Sequence, residues 1–533
     1  MPPSAPSRAK PLNNFVPFMV FTSQVGWQSG HAYDCRSYLK GFNSPTHHHF
    51  PLYTPSPLSG PEVASVIHIH NTASGTKEPL ETVEPGHVRM YVCGVTVYND
   101  SHVGHARSFV AFDVIRRWLI HRGYRVSYVF NYTDVDDKII NRANETGEPW
   151  DSIARRYIAS LDEDMRRLNV MPATVAPKAT DLIPDMVAFV SDLVDTGYAY
   201  VVDGDVYYDM SKGERWFGVL KHQRIEDMQA GARVEVDDRK RNPYDFVLWK
   251  SSKPGEPSWP SPWGPGRPGW HIECSTMASK YLGVPIDIHG GGTDLIFPHH
   301  ESENLQTWAR EGKPLARYWM HNGMLNINTE KMSKSLGNFM TIKEVLSHHD
   351  PMVLRFYLLH AHYRSEIEFS EAGLVEAKEA YNRISAFRVA LGRMREFAPE
   401  DMEGLEEQIE ANRLGFAHAM DEDFNTRQAI MHVFELVRIG NQAMASKLLS
   451  RRHHRLLSDV FDELVGLLGL RLAGVEGADA ALVAGLVDLL LELRDKSRAA
   501  KDYPTADAIR ARLRELGVVF EDGAQGTTWR IER

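Results

Sequence analysis

Residues 90–132 constrain the fold more tightly than any other stretch of this chain. Met90–Tyr98 (Met-Tyr-Val-Cys-Gly-Val-Thr-Val-Tyr) is a short apolar run rich in β-branched residues, which predicts a buried strand. Asn99, Asp100 and Ser101 follow with the short polar side chains that cap helices. The spacing of Phe109, Phe112, Ile115 and Leu119 predicts a helix over 108–121, and Arg125–Tyr132 predicts the next strand. Strand, helix and strand at this spacing form a βαβ unit. That unit implies a parallel sheet with a nucleotide crevice at the ends of its strands.

His102-Val103-Gly104-His105 falls at the strand-to-helix junction. A helix N-terminus offers free N–H groups and the positive end of a dipole, and so attracts anions. Two imidazoles there, with Gly104 allowing close approach, suit a triphosphate; two surface histidines near a turn are the plain alternative. Far downstream, Lys331-Met332-Ser333-Lys334-Ser335 runs into Leu336-Gly337-Asn338, a loop carrying two ammonium groups. Such a loop suits a polyphosphate whose charge changes during reaction. Each element alone is weak. Together, in this order around an α/β core, they predict an ATP site of His102, Gly104, His105, Lys331 and Lys334.

Composition sets the outer limits. The chain has 533 residues, so two to four domains are expected. A net charge of −10 does not mark a general nucleic-acid binder, although a local basic surface remains open. Three cysteines exclude a disulfide scaffold and fit a reducing cytoplasm. No apolar run reaches the ~20 residues of a membrane span. Ala480–Leu493 comes nearest and is broken by Asp488 and Glu492. Residues 1–63 differ from the rest, being rich in Pro, Ser, Phe, Tyr and His with very few acids. They read as disordered or as the product of an upstream start codon.

Four longer motifs narrow the reading. Tyr91–Tyr98, Asn131–Lys138 (Asn-Tyr-Thr-Asp-Val-Asp-Asp-Lys), Gly269–Ser275 (Gly-Trp-His-Ile-Glu-Cys-Ser) and His289–Glu301 (His-Gly-Gly-Gly-Thr-Asp-Leu-Ile-Phe-Pro-His-His-Glu) occur in one order. With the ending Glu521–Trp529, they resemble the cysteinyl-tRNA synthetase family of class I aminoacyl-tRNA synthetases, from about Val66 to the C-terminus. The resemblance implies an α/β fold with a Rossmann-type parallel-sheet catalytic core over 64–348, carrying an inserted connective region at about 160–265. An α-helical bundle over 349–473 and a small anticodon-binding domain over 474–533 would follow. It implies ATP, L-cysteine and tRNA as substrates, Mg²⁺ with the ATP, one Zn²⁺ per chain and, by family default, a monomer.

The zinc would sit on the positions matching the family's ligands: Cys93, Cys274, His299 and Glu303. From spacing alone, Cys93 and Cys274 read as two buried cysteines. His299 and Glu303, four apart on a helix, project from one face and can grip one ion; His300 competes for the histidine place. A purely apolar pocket separates cysteine from serine only about a hundredfold, whereas zinc prefers a thiolate to a neutral hydroxyl. Thr133, Trp270, His289 and Asp294 are candidates for the amino-acid pocket. Trp270 could equally be core, and His289 could support a ligand. Asp134, Asp136 and Asp137 read as cap or salt-bridge residues. Trp529 and Arg530, after basic helices holding Arg494, Lys496, Arg498 and Arg510, offer a stacking surface and a phosphate partner for single-stranded anticodon bases. The rival reading is a cysteine ligase of mycothiol synthesis, with the same catalytic core and no such tail.

Overall fold

A computed structural model of the chain describes residues 66–222, 238–327, 330–331, 340–472, 480–516, 518–523 and 526–531. The expectations for residues 1–63, for Lys334 and for most of a linker over 474–481 lie outside the described residues.

The chain opens with a hairpin of β1 (His68–Asn71) and β2 (Thr76–Pro79). Then β3 (His87–Thr96), α1 (Val103–His121) and β4 (Arg125–Thr133) form the βαβ unit, with β3 and β4 paired in parallel. After α2 (Asp137–Thr146), α3 (Trp150–Arg167) and α4 (Ile183–Asp195) comes a separate antiparallel sheet. Its strands are β5 (Ala199–Val202), β6 (Asp205–Tyr208), β7 (Phe246–Ser251) and β8 (Gly266–Pro268). The chain returns to the parallel sheet through α5 (Trp270–Leu282), β9 (Ile286–Gly292), α6 (Glu301–Glu311) and β10 (Ala316–Asn322). The resulting sheet is all parallel, in the order β10-β9-β3-β4.

The apolar run of β3 follows from this placement. Met90 and Val92 pack into one hydrophobic cluster with Phe112, Ile115 and Ile288. Tyr91 and Cys93 point into another with Val129, Ile272 and Trp319. Successive side chains alternate between faces, and both faces are covered, so the strand has no polar side.

Downstream, β11 (Leu325–Ile327) pairs with β12 (Glu330–Lys331) and with β13 (Ile367–Glu368). The helices α7 (Ile342–His348), α8 (Pro351–Leu359), α9 (Glu371–Arg393), α10 (Leu405–Asp421), α11 (Thr426–Ala445) and α12 (Arg451–Leu467) make the helical region. Finally α13 (Ala480–Ala499) and α14 (Tyr503–Glu515) precede the hairpin of β14 (Val518–Gly523) and β15 (Gly526–Ile531). Val487, Leu491, Leu513 and Val518 form a small core there.

Two fully buried charged residues tie the α1 and α8 layers together. The Arg355 side chain is an ion-pair partner of Asp113 and donates to the carbonyls of Leu168 (2.9 Å) and Leu468 (2.8 Å). One guanidinium therefore touches α1, the end of α3 and the end of α12.

Candidate active site

The N-terminal end of α1 is built differently from the sequence expectation. The N-cap is His102 itself rather than Asn99, Asp100 or Ser101. His102 Nδ1 accepts from the His105 N–H at 3.3 Å and His105 Nδ1 accepts from the His102 N–H at 3.4 Å, a reciprocal capping box. The two rings stack at 3.7 Å. Asp100 is taken instead by Lys343 at 2.7 Å and Ser160 at 2.6 Å. A Cβ on Gly104 would come within 2.8 Å of the His102 ring, so the glycine is required for the stack. Burial, followed by the His102 neighbour, drives the His105 imidazole well below its ordinary pKa. Lys331 closes a two-residue pairing of β12 with β11.

The second half of the site lies at the carboxyl ends of the parallel strands. Cys93 Sγ stands 3.7 Å from Cys274 Sγ and 3.5 Å from Glu303 Oε1. His299 Nε2 lies 2.9 Å from Glu303 Oε1 and 3.5 Å from Cys274 Sγ. These four buried residues, from β3, α5, the wide turn Ile296–His300 and α6, offer ligand atoms all within 4.8 Å of one another. The i, i+4 relation puts His299 and Glu303 on one face, as the spacing implies. Gly94 makes the approach of β3 possible: a Cβ there would sit 1.6 Å from the Asn131 carbonyl oxygen.

The cluster's electrostatics suit a cation. Burial alone would raise the Cys274 thiol, but its hydrogen bond with Cys93 and the nearby His299 bring it down to about 6. Burial, reinforced by Cys274, pushes the Cys93 thiol well up. Burial also opposes charge on His299, yet Glu303 and Cys274 hold it up to about 10. Against its own burial, Glu303 is held well below the usual carboxylate range by His289 and His299. A carboxyl held low, a thiol brought down and an imidazole held up thus converge in one buried cluster.

The amino-acid pocket candidates divide. Trp270 is 40% exposed and stacks on His299 at 4.1 Å, so it is a wall beside the cluster rather than core. His289 Nε2 lies 2.7 Å from Glu303 Oε2 and so is tied to a carboxylate of the cluster. Buried Thr133 donates to Glu273 at 2.7 Å. Asp294 is exposed in the short turn Thr293–Leu295 after β9. Asp136 caps α2, Asp137 pairs with Lys250 and Arg267, and Asp134 accepts from Thr180. In the tail hairpin, Trp529 lies opposite Phe520, and Arg530 opposite Val519.

Further contributors surround the four-residue set. His300 Nε2 lies 3.3 Å from Cys93 Sγ, and its Nδ1 lies 2.8 Å from His321 Nε2. His321 Nδ1 in turn meets the Thr72 hydroxyl at 2.7 Å. With Cys93, His289 and Glu303, His300 makes a second set of converging ligand atoms, so the competition with His299 is real in space. Buried Glu301 accepts from four consecutive backbone N–H groups, Gly218 to Lys221, at 2.8 to 3.2 Å. It fastens the loop after β6 to the helix that carries Glu303.

Comparisons with known proteins agree with this geometry. A family model described as the class I (C) tRNA synthetase catalytic domain matches residues 79–379. A DALR domain model matches 415–473, and a cysteinyl-tRNA ligase anticodon-binding domain model matches 484–530. The methionyl-tRNA synthetase of Mycobacterium tuberculosis, solved with methionyl-adenylate, is similar in fold. Its TM-score is 0.52 at 16% identity, over 72% of this chain and 90% of that one. Parallel sheet, capped histidine pair and catalytic-domain match together define a class I aminoacyl-tRNA synthetase. The cysteine–tRNA ligase of Geobacter sulfurreducens is 50% identical over 480 residues, covering 87% of this chain and all of the relative. That of Pseudomonas aeruginosa is 50% identical over 472 residues, again 87% of this chain and all of the relative. The chain belongs to the cysteine–tRNA ligase family.

Proposed function

We propose that the chain activates L-cysteine with ATP to form cysteinyl-adenylate and pyrophosphate, then transfers the cysteinyl group to the 3′ end of tRNA(Cys) in the cytoplasm. The observation that carries the cysteine assignment is the buried Cys93–Cys274–His299–Glu303 cluster beside exposed Trp270. Two sulfurs, an imidazole and a carboxylate are a zinc-type donor set, and all four sit within reach of one ion. Zinc bound there supplies a soft Lewis acid that prefers a thiolate to a hydroxyl.

The chain's own residues divide the remaining work. The N-terminus of α1, with His102, Gly104 and His105, holds the ATP phosphates; Mg²⁺ accompanies the nucleotide. The neutral His105 donates or accepts a hydrogen bond without adding charge. In-line attack by the cysteine carboxylate on the α-phosphorus breaks the α–β bridge, and the electron pair leaves with pyrophosphate. Lys331 and Lys334 compensate that charge. Thr133, Trp270, His289 and Asp294 shape the amino-acid side, and Trp529 and Arg530 serve the anticodon. The tail favours tRNA over an amino sugar as acceptor, since the anticodon-domain match covers 484–530.

Lys334→Ala is expected to slow cysteine-dependent ATP–pyrophosphate exchange by about 10²–10³-fold while leaving cysteine binding nearly unchanged. Unchanged exchange would remove the lysine from the mechanism. Glu301→Ala should weaken zinc retention about tenfold or more, because the loop at 218–221 loses its anchor on the ligand-bearing helix. Competition with a chromogenic chelator measures this. Retention equal to that of the unaltered chain would reduce Glu301 to a loop fastener.

A further inference from the structure

The helical bundle holds a groove that takes no part in the site above. Between α9, the segment after it and α12, a cavity of about 480 Å³ is lined by Arg388, Phe397, Arg451, His454, Arg455 and Ser458. A cavity of this size accommodates a small ligand.

Its rim is cationic without full compensation. Arg388 bonds Asp462 at 2.7 Å, which engages one of its five N–H groups. Arg451 lies over the Phe397 ring at 4.5 Å. Neither Arg451 nor Arg455 forms an ion pair among the described residues. Glu406 pairs with Arg452 and His453, and Asp401 with His453, so neither of these acids is engaged by the two arginines. Arg451 also starts α12, where the helix dipole disfavours a cation. Arg451 and Arg455, four apart on one face, present two positive charges to one edge of the groove.

The floor has a different character. His454 meets the Phe397 ring edge-on at 5.1 Å and is itself held by the Leu391 carbonyl at 2.9 Å. Ser458 beside them is only 9% exposed, its hydroxyl closed to solvent. The groove therefore offers an aromatic surface and a doubly cationic lip. A nucleotide has the matching parts: a flat base and a phosphate.

We propose that this groove receives one unstacked nucleotide of the bound tRNA. The base lies against Phe397, and the phosphate sits on Arg451 and Arg455. The assignment rests on the tRNA reading above and extends it from the tail to the bundle.

The test uses the full-length chain and transcribed tRNA(Cys). The Arg451→Ala/Arg455→Ala variant should bind tRNA about tenfold more weakly. The slope of log affinity against log salt should become shallower by about two, one for each phosphate-neutralising cation lost. Cysteine-dependent ATP–pyrophosphate exchange should stay within twofold in this variant, since no groove residue belongs to the activation site. Unchanged tRNA affinity and salt slope in the double variant would overturn the proposal. A second arm titrates AMP against protein whose activation site is filled by a stable cysteinyl-adenylate analogue. Saturable AMP binding that the double variant loses, with tRNA binding intact, would overturn it in favour of a free nucleotide. Absence of cysteine-dependent exchange in the unaltered chain is a separate result and bears on the parent reading alone.

Discussion

Cys274→Ser protein should retain almost no zinc after dialysis and should lose most of its preference for cysteine over serine in ATP–pyrophosphate exchange. The replacement exchanges a thiolate for a hydroxyl that stays protonated at neutral pH, and so removes one of the two sulfur donors of the cluster. What remains is a pocket that reads shape, which separates such isosteres by about a hundredfold at best. The thiol that is lost is also the more acidic of the pair, at about 6, and its neighbour Cys93 is pushed well up by burial. Metal analysis and the ratio of kcat/KM for the two amino acids check this together. Undiminished discrimination in a zinc-free variant would falsify the assignment of selectivity to the metal.

Asp113→Ala should destabilise the chain by about 3–5 kcal/mol, read as a lower urea midpoint. The substitution leaves the Arg355 guanidinium buried without its anion, although Arg355 keeps its bonds to the carbonyls of Leu168 and Leu468. Replacing both charges with apolar residues of similar volume should recover much of the loss, because the desolvation cost vanishes with the charges. The pair also sets a pH dependence. Burial would raise the Asp113 carboxyl, but Arg117 and Arg355 outweigh it and hold the group below its ordinary value of 3.8. The folded state therefore binds this proton less readily than the unfolded chain. The contribution is fully present above the unfolded value and declines as pH falls through the folded one. In Asp113→Ala that part of the acid lability disappears, measurable as a flatter midpoint between pH 5 and about 3.

The parts of this architecture legible in the sequence are those that rest on local periodicity or on motif order. The apolar run of β3 and the helical spacing of α1 are local signals; both elements form, β3 over His87–Thr96 and α1 from Val103, five residues before the helical spacing begins. His299 and Glu303 were recognisable because four residues of helix fix their geometry. The cap of α1 was misread because Asn99, Asp100 and Ser101 are common capping residues, while a histidine that caps through Nδ1 is rare. Asp100 had competing partners, Lys343 and Ser160, that only tertiary packing supplies. Trp270 could not be placed from sequence, since an indole suits both a core and a pocket wall, and only stacking on His299 decides between them. The roles of Glu301, His321 and Thr72, and the partners of His300, already the rival of His299 for the histidine place, were out of reach for a related reason. Each draws its meaning from a contact with a distant segment, such as the amides of 218–221 or the thiol of Cys93.

The separation of the two clustered cysteines has a thermodynamic side. Cys93 and Cys274 lie 181 positions apart in the chain. An ion gripped by both closes a loop of that length, and such a cross-link restricts the unfolded chain by about 5 kcal/mol in the chain-entropy view. Between the two anchors run α1, β4 and the whole antiparallel sheet. A metal held there would then be a staple for half the catalytic core, and chelation should lower the heat resistance of the protein.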